Sequence, residues 1–176
     1  MCLIVQTTEP ECPYTIAPHD IPCFKIGYWL HTKEAFISEI YGQEYKIGKT
    51  YWMRKPIVPL RLYYNTSTFP KVTYGNILSY DIERAFHSYS ATRLDGVSIP
   101  LFRCSHEYDN VSGAVLLCVI PKGAKFYVGL QGYADGYASE KIKPLKALPK
   151  HNEETPEEYY NRIKKEVKTF ANAHNS

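Results

Sequence analysis

Long apolar runs are missing from this 176-residue sequence. No stretch approaches the roughly 18 apolar residues of a membrane span, and Leu3 to Val5 is too short for the apolar region of a signal peptide. The five cysteines are odd in number and include no Cys-x-x-Cys pair, which favours free thiols in a reducing compartment. We therefore expect a protein of the cytoplasm that has no membrane partner.

Strong catalytic motifs are also missing. The sequence has no Gly-x-Gly-x-x-Gly, no phosphate-binding loop and no Gly-x-Ser-x-Gly. The one close grouping of metal-ligating residues is His87, Cys104 and His106, and its Cys-x-His spacing differs from the paired spacing of zinc sites. The residues therefore predict no metal and no cofactor, and they leave open whether the protein is an enzyme.

A short apolar run over 114–120 is the clearest strand in the chain. It is rich in β-branched residues and is bounded by Gly113 and Pro121, which is typical of a strand covered on both faces. Pro121 to Gly123 has turn chemistry, and strand-like composition resumes at 126–128. We predict an α+β fold whose curved, mostly antiparallel sheet is centred on residues 114–120.

The predicted domain covers residues 1–150, with a helical tail over 151–176. Helices within the domain are expected to be few and short, at 32–41 and at 90–94, where apolar spacing or position suits a helical turn. The Gly- and Tyr-rich stretch 131–137 is predicted to be a flexible loop. Apolar and aromatic composition predicts further strands over 2–5, 21–30, 45–52 with a bend at Gly48, the second half of 81–90, and 138–145.

The tail has the sequence of a well-formed helix. Thr155 to Glu158 matches a capping box with Pro156 at the first helical position. A single apolar stripe follows, and we expect it to pack on the protein's own sheet in preference to a partner. The predicted stripe consists of Tyr160, Ile163, Val167 and Phe170.

The positive charge is concentrated in the last third of the chain. The formal net charge is +3, and a run of lysines over 141–150 contains no acidic residue. Clustered lysines bind phosphate groups, although such runs are often only the solvated side of an element. The 16 tyrosines offer aromatic contacts as well, or simply reflect the many strands. The predicted binding residues are Tyr133, Tyr137, Lys141, Lys143, Lys146 and Lys150.

The chain contains, in order, the blocks Phe86-His87-Ser88, Ile120-Pro121-Lys122-Gly123 and Tyr137-Ala138-Ser139-Glu140. On these blocks it resembles a family of small uncharacterised proteins from Bacteroidetes and their phages, and the resemblance spans roughly residues 16–145. Ala85 stands where these proteins usually have glycine. The resemblance implies a phage or mobile-element accessory protein in the host cytoplasm, such as an inhibitor of a host defence system.

An apolar run, then Pro121-x-Gly123, and then Ser139 and Glu140 near a following strand form a pattern that is similar to the last strands of ADP-ribosyltransferase folds. That similarity implies an enzyme that uses NAD, with His87 or Tyr89 touching NAD and Glu140 as the catalytic acid. The Glu-x-Glu or Gln-x-Glu pattern of those enzymes is absent, because Ala138 stands two residues before Glu140.

Three functions therefore remain open. The first is a binding module that engages a host protein or a nucleic acid through Tyr-rich loops and the lysine run. The second is an NAD-using transferase with His87, Tyr89 and Glu140 in one cleft. The third is a phage structural or assembly component, which would self-associate. The sequence does not define the oligomeric state.

Overall fold

The structure is a computed structural model that describes residues 3–39, 42–62, 77–92 and 111–174. These residues form antiparallel strands and one C-terminal helix, which confirms the predicted mostly antiparallel sheet with a terminal helix. The strands are β1 (Leu3–Thr7), β2 (Thr15–Ile16), β3 (Ile21–Leu30), β4 (Ala35–Ser38), β5 (Glu44–Tyr45), β6 (Tyr51–Trp52), β7 (Leu60–Arg61), β8 (Leu78–Ile82), β9 (Phe86–Ser90), β10 (Val111–Ile120), β11 (Lys125–Gln131), β12 (Ala134–Ser139) and β13 (Lys141–Pro149), followed by helix α1 (Pro156–His174).

The strands of the described residues pair along one main path. Its strand order is β6-β13-β10-β3-β9-β12-β11-β1-β8-β7, while β2 pairs with β11, and β4 joins β3 to β5. Strand β10 pairs with β3 along its whole length and with β13 on its other side. The run 114–120 therefore lies inside the sheet, but nearer to the β6 end of the path than to its middle.

Strand β10 is covered on both faces, as its composition predicted. Every residue from Ala114 to Ile120 is buried. Leu116 and Cys118 face one core, whereas Val115 and Leu117 face a second core beneath the helix. Both faces of this strand must be apolar, and this explains why its sequence shows an unbroken run rather than alternation.

Helix α1 begins where the capping box predicted and lies on the sheet. The Thr155 hydroxyl accepts a hydrogen bond from the Glu158 amide at 3.2 Å, as an N-cap residue does. The buried stripe of the helix packs with Phe24, Val115 and Leu117 of the sheet. It consists of Tyr159, Ile163, Val167 and Ala171.

The predicted stripe is confirmed at Ile163 and Val167, and Phe170 also packs against this core, whereas Tyr160 does not belong to it. Tyr160 and Phe170 are only half-buried, because the helix is rotated so that residues at a spacing of four face the sheet. Tyr159 takes the buried place, and its hydroxyl donates to the Leu148 carbonyl at 2.7 Å. Small Ala171 completes the packing at the far end, where the pattern of large side chains gave no signal.

Hydrogen bonds of a helix arginine also hold α1 against the end of β13. Arg162 Nε donates to the Glu154 carboxylate at 2.8 Å, and Arg162 Nη2 donates to the Pro149 carbonyl at 2.8 Å. The arginine lies beside the Glu154 carboxyl and holds its pKa below the ordinary value. These bonds connect the helix, the segment before it and the sheet.

The predicted short helix at 32–41 was wrong in the residues that the structure describes. Residues 35–38 are strand β4, which pairs with the end of β3. The chain reverses at His31 to Glu34, where Glu34 has φ of 49°, and the consecutive residues Phe36 and Ile37 lie on opposite faces of the resulting hairpin. The second predicted helix lies partly outside the described residues, and its first residue, Ser90, is the end of β9.

Two further predictions were wrong because glycines form turns. The stretch 131–137 is no flexible loop: it belongs to a hairpin of β11 and β12 in which Gln131 pairs with Ala134. Only Gly132 and Tyr133 form the turn, with φ of 61° at the glycine, as a two-residue hairpin turn requires. The predicted bend at Gly48 is confirmed, with φ of 82°, but the chain turns so sharply there that 45–52 belongs to two short strands rather than one.

Candidate functional site

The edge of β13 that faces away from β10 is covered by the segment that contains β6. Trp52 pairs with Lys141, and Tyr51 pairs with Ile142. Beyond this short ladder the Gly48 amide donates to the Pro144 carbonyl at 2.8 Å. Residues 46–55 therefore run along β13 and bring their own charges next to its lysines.

A bulge in β13 places three of its lysines on one face. Leu117 pairs with Lys146 and Cys118 pairs with Pro144, so that Leu145 has no partner in β10. If the same residues formed a regular strand, its alternation would put Lys146 on the face opposite to Lys141 and Lys143. With the bulge, all three share the face on which the helix lies.

The two segments together form a surface that we call the basic edge. Residues 45–59 and 141–152 contain no Asp or Glu. The edge includes one large exposed aromatic side chain, Trp52, which is 64% exposed and has Lys141 Nζ 4.7 Å from its ring. Among the described residues, one ion pair involves the edge, between Lys146 and Glu166 at 3.5 Å. The cations of the basic edge are Lys46, Lys49, Arg54, Lys55, Lys141, Lys143 and Lys146.

Three of the sequence-predicted binding residues lie elsewhere. Lys150 is buried, and its Nζ donates to the His151 carbonyl at 3.2 Å. Tyr137 is half-buried against Phe126, and its hydroxyl donates to Ser90 Oγ at 3.2 Å. Tyr133 is 96% exposed, but it lies at the end of β12 that is remote from Lys141. The structure thus groups Lys141, Lys143 and Lys146 and does not bring the tyrosines to them.

A cavity opens where the partner of β3 changes. Cys23 and Phe24 pair with β9, whereas residues 27–30 pair with β4 on the same side. The two partners diverge at residues 25 and 26, and a cavity of about 320 Å³ occupies the fork. Its lining combines side chains from both faces of the sheet: Lys25, Ile26, Ser38, Glu39, Gln43, Tyr45, Ala85, His87, Tyr89 and Gln131.

Lys25 is the buried lysine of this fork cavity. Its Nζ donates to the His87 backbone carbonyl and lies 5.3 Å from the centre of the Tyr45 ring. No carboxylate forms an ion pair with it within the described ranges. Burial lowers the pKa of the Lys25 amine below its ordinary 10.5, against a smaller opposing effect of the Cys118 and Cys23 thiols.

His87 and Tyr89 line the same cavity from β9. His87 Nε2 lies 2.7 Å from the Ile82 carbonyl, which only accepts hydrogen bonds, so Nε2 carries the proton. Burial lowers the pKa of this imidazole and favours the neutral ring, which leaves Nδ1 as an acceptor. The Tyr89 ring stacks on Phe24 at 5.5 Å, and burial raises the pKa of its hydroxyl.

Glu140 does not line the fork cavity. Its Oε1 accepts a hydrogen bond from the Lys125 amide at 3.0 Å, on the β11 side of β12, whereas His87 lies on the β9 side. The structure brings together two of the three residues that the NAD interpretation requires. The third residue, Glu140, instead accepts a hydrogen bond from a backbone amide near the junction of β12 and β13.

Sequence reasoning missed Lys25, Trp52 and the contribution of residues 46–55. A signal for Lys25 exists, since it is the single charge in the apolar stretch 21–30. A signal for 46–55 exists as well, because four cations occur there without an acid. What no local pattern reveals is that this segment lies against β13.

Comparison with protein-family models, curated proteins and solved structures finds no match to the chain. In the part of the chain that the structure describes, no helix is long and apolar enough to cross a membrane. No group of three or more His, Cys, Asp or Glu side chains suited to a metal occurs within the described residues, and Cys104 and His106 lie outside them.

Proposed function

We propose that the protein binds single-stranded nucleic acid at the basic edge. The observation that carries this proposal is the alignment of residues 46–55 with β13, which joins two acid-free basic segments around an exposed tryptophan. A host protein as the partner is disfavoured in comparison, because Tyr133 and Tyr137 form no common surface with the lysines.

Electrostatic attraction supplies the first part of the argument. The two segments that meet at this edge carry seven cations, and one of them, Lys146, is in an ion pair with a described acid, Glu166. Phosphate groups that contact such cations release bound counterions, and this release makes the affinity depend steeply on salt. The overall charge of only +3 does not prevent this, because the cations are concentrated locally.

The second part of the argument is stacking. Trp52 exposes most of its ring, and a base stacked on an aromatic side chain contributes about 1–3 kcal/mol. A duplex keeps its bases paired and stacked on one another, whereas a single strand can present a base to the ring. The combination of a basic track and an exposed aromatic ring therefore favours single-stranded over double-stranded nucleic acid.

The resemblance to phage proteins sets the context of this proposal. It would make the protein a phage or mobile-element accessory factor that acts on nucleic acid in the host cytoplasm, and an anti-defence role would follow if that nucleic acid belongs to a defence system. An NAD-using activity is less well supported, because Glu140 lies outside the fork cavity.

The test is fluorescence anisotropy with labelled single-stranded and duplex oligonucleotides of about 20 nucleotides, at several salt concentrations. We expect tighter binding of the single strand, with log affinity falling linearly with log salt. Each Lys→Ala change that removes a phosphate-binding cation should lower the slope by about 0.7, and Trp52→Ala should weaken binding about tenfold with little change in slope.

Lys165→Ala is the matched control, because it removes one charge from an exposed position on the helix. It should leave affinity and slope almost unchanged. If the control weakens binding as much as Lys143→Ala does, only overall charge matters. Absent binding at low salt, or binding that ignores salt, would refute the proposal.

A further inference from the structure

We propose that Lys25 is a reactive amine that binds small carbonyl compounds, aldehydes or ketones, as an imine in the fork cavity. This site is separate from the basic edge, because Lys25 lies on β3 and none of the seven edge cations lines the cavity. The two proposals therefore stand or fall independently.

An unpaired buried charge on Lys25 is costly. The Lys25 side chain lies inside the sheet, and no acidic partner is in an ion pair with it among the described residues. A buried ammonium without a carboxylate is strongly disfavoured, so the neutral amine gains population. The nearby Cys23 and Cys118 do not compensate, since burial raises their pKa and keeps the thiols protonated.

Lys25 Nζ uses one N–H for the His87 carbonyl, which holds the amine at the fork where the β3 ladder is interrupted. A neutral amine that donates a hydrogen bond keeps its lone pair, so this contact does not block nucleophilic attack. The same contact takes the place of a ladder bond, which explains how the fork tolerates a polar group.

The cavity of about 320 Å³ is within the size range of small-molecule sites. Two of its lining residues, Glu39 and Gln43, are exposed and form its mouth. The exposed Gln43 offers a polar group to a ligand, while Tyr45 and Tyr89 offer aromatic surface.

The chemistry balances without an oxidant or a reductant. The amine lone pair attacks the carbonyl carbon, the C–O π-bond breaks, and a proton moves from nitrogen to oxygen to give a carbinolamine. Loss of the hydroxyl with one proton from nitrogen releases a molecule of water and leaves the C=N bond. A buried lysine with a lowered pKa is suited to this reaction, because more of its amine is neutral, whereas a protonated amine has no lone pair to attack with.

The experiment is reductive trapping at pH 7 with propanal or pyruvate as the probe and cyanoborohydride as the reductant. Peptide mapping by mass spectrometry then gives the rate at each lysine of the same molecules. Each unit by which a pKa is lowered raises the free amine about tenfold. We therefore expect Lys25 to be modified at least about tenfold faster than exposed Lys33.

Lys25→Met is the matched variant, since it keeps an unbranched side chain and removes the amine. It should lose the fast adduct and, because the basic edge is intact, should bind oligonucleotides as the unaltered protein does. Should this variant fail to fold, the modification rates at each lysine of the unaltered protein still test the proposal. The proposal is overturned if Lys25 stays unmodified in the folded protein while it reacts after denaturation, or if its rate equals that of exposed lysines.

Discussion

His87 makes the folded protein sensitive to acid. Burial lowers the pKa of its imidazole below the ordinary 6.5, so the unfolded chain binds a proton in a pH range where the folded protein does not. The stability that this histidine contributes is fully present above pH 6.5 and is lost as the pH falls through the folded-state pKa.

His87→Gln should therefore flatten the dependence of unfolding free energy on pH below pH 6.5. One such group changes this free energy by at most about 1.4 kcal/mol per pH unit. Urea unfolding at several pH values measures the difference between variant and unaltered protein. The exposed His31→Gln serves as control, and an unchanged slope in His87→Gln would contradict the account.

At the same scale, the composition of 21–30 shows what can be learned from single residues. An isolated lysine in an apolar strand signals either an edge or a special environment, and local sequence does not distinguish them. Which of the two environments applies depends on β9 and β4, which diverge beside this residue. Strand β9 lies far away in the sequence. The fork cavity was therefore not predictable, although one of its residues stands out.

Among the elements, the β3–β4 hairpin depends on a close approach of two backbones. A Cβ at Gly27 would lie 2.1 Å from the Ile37 carbonyl oxygen and 2.8 Å from the Phe36 ring. Backbone cannot move aside as a flexible side chain does. Any larger residue at this position must push β4 away from β3.

Gly27→Ala should consequently lower the free energy of unfolding by about 3 kcal/mol. It should also open the fork, so the trapping rate at Lys25 should change in this variant rather than stay constant. Thermal unfolding and the trapping assay measure the two effects. Gly123→Ala offers a comparison, because a Cβ there meets no atom within 4 Å, although φ of 85° strains it. Equal losses of stability in both variants would show that the close approach is not the cause.

Elements with strong local signals were predicted well. The capping residues of α1 and the apolar run of β10 act through neighbours in sequence or through complete burial. The predictions for β4 and for the β11–β12 hairpin were wrong, because these elements depend on turns with positive φ at Glu34 and Gly132. The basic edge lies between these cases: its lysines were predicted, whereas the segment placed beside them required the fold.

At the scale of the whole molecule, one helix covers one face of the sheet. The core beneath it contains Phe24, Val115 and Leu117, which would otherwise be in contact with water. The helix therefore does more than end the chain. It supplies the apolar cover that the second face of β10 requires.

Ile163→Ala should test this dependence, because Ile163 is fully buried at the centre of the stripe. The expected decrease is about 2–5 kcal/mol in the free energy of unfolding. Chemical denaturation followed by circular dichroism measures it, with the exposed Lys164→Ala as control. A decrease below about 1 kcal/mol would mean that the helix contributes little to the fold.

The bulge at Leu145 also has a consequence for how the length of this chain can vary. Strand β13 contains one residue more than its ladder with β10 uses. Deletion of that residue would shorten the chain and yet leave Lys141 and Lys146 on their present face, since regular alternation would then run from Pro144 directly to Lys146. A deletion elsewhere in the regular part of the ladder would invert the facing of the residues between the deletion and the bulge. Position 145 is thus the place in β13 where related sequences can differ in length without moving the other side chains to the opposite face of the sheet.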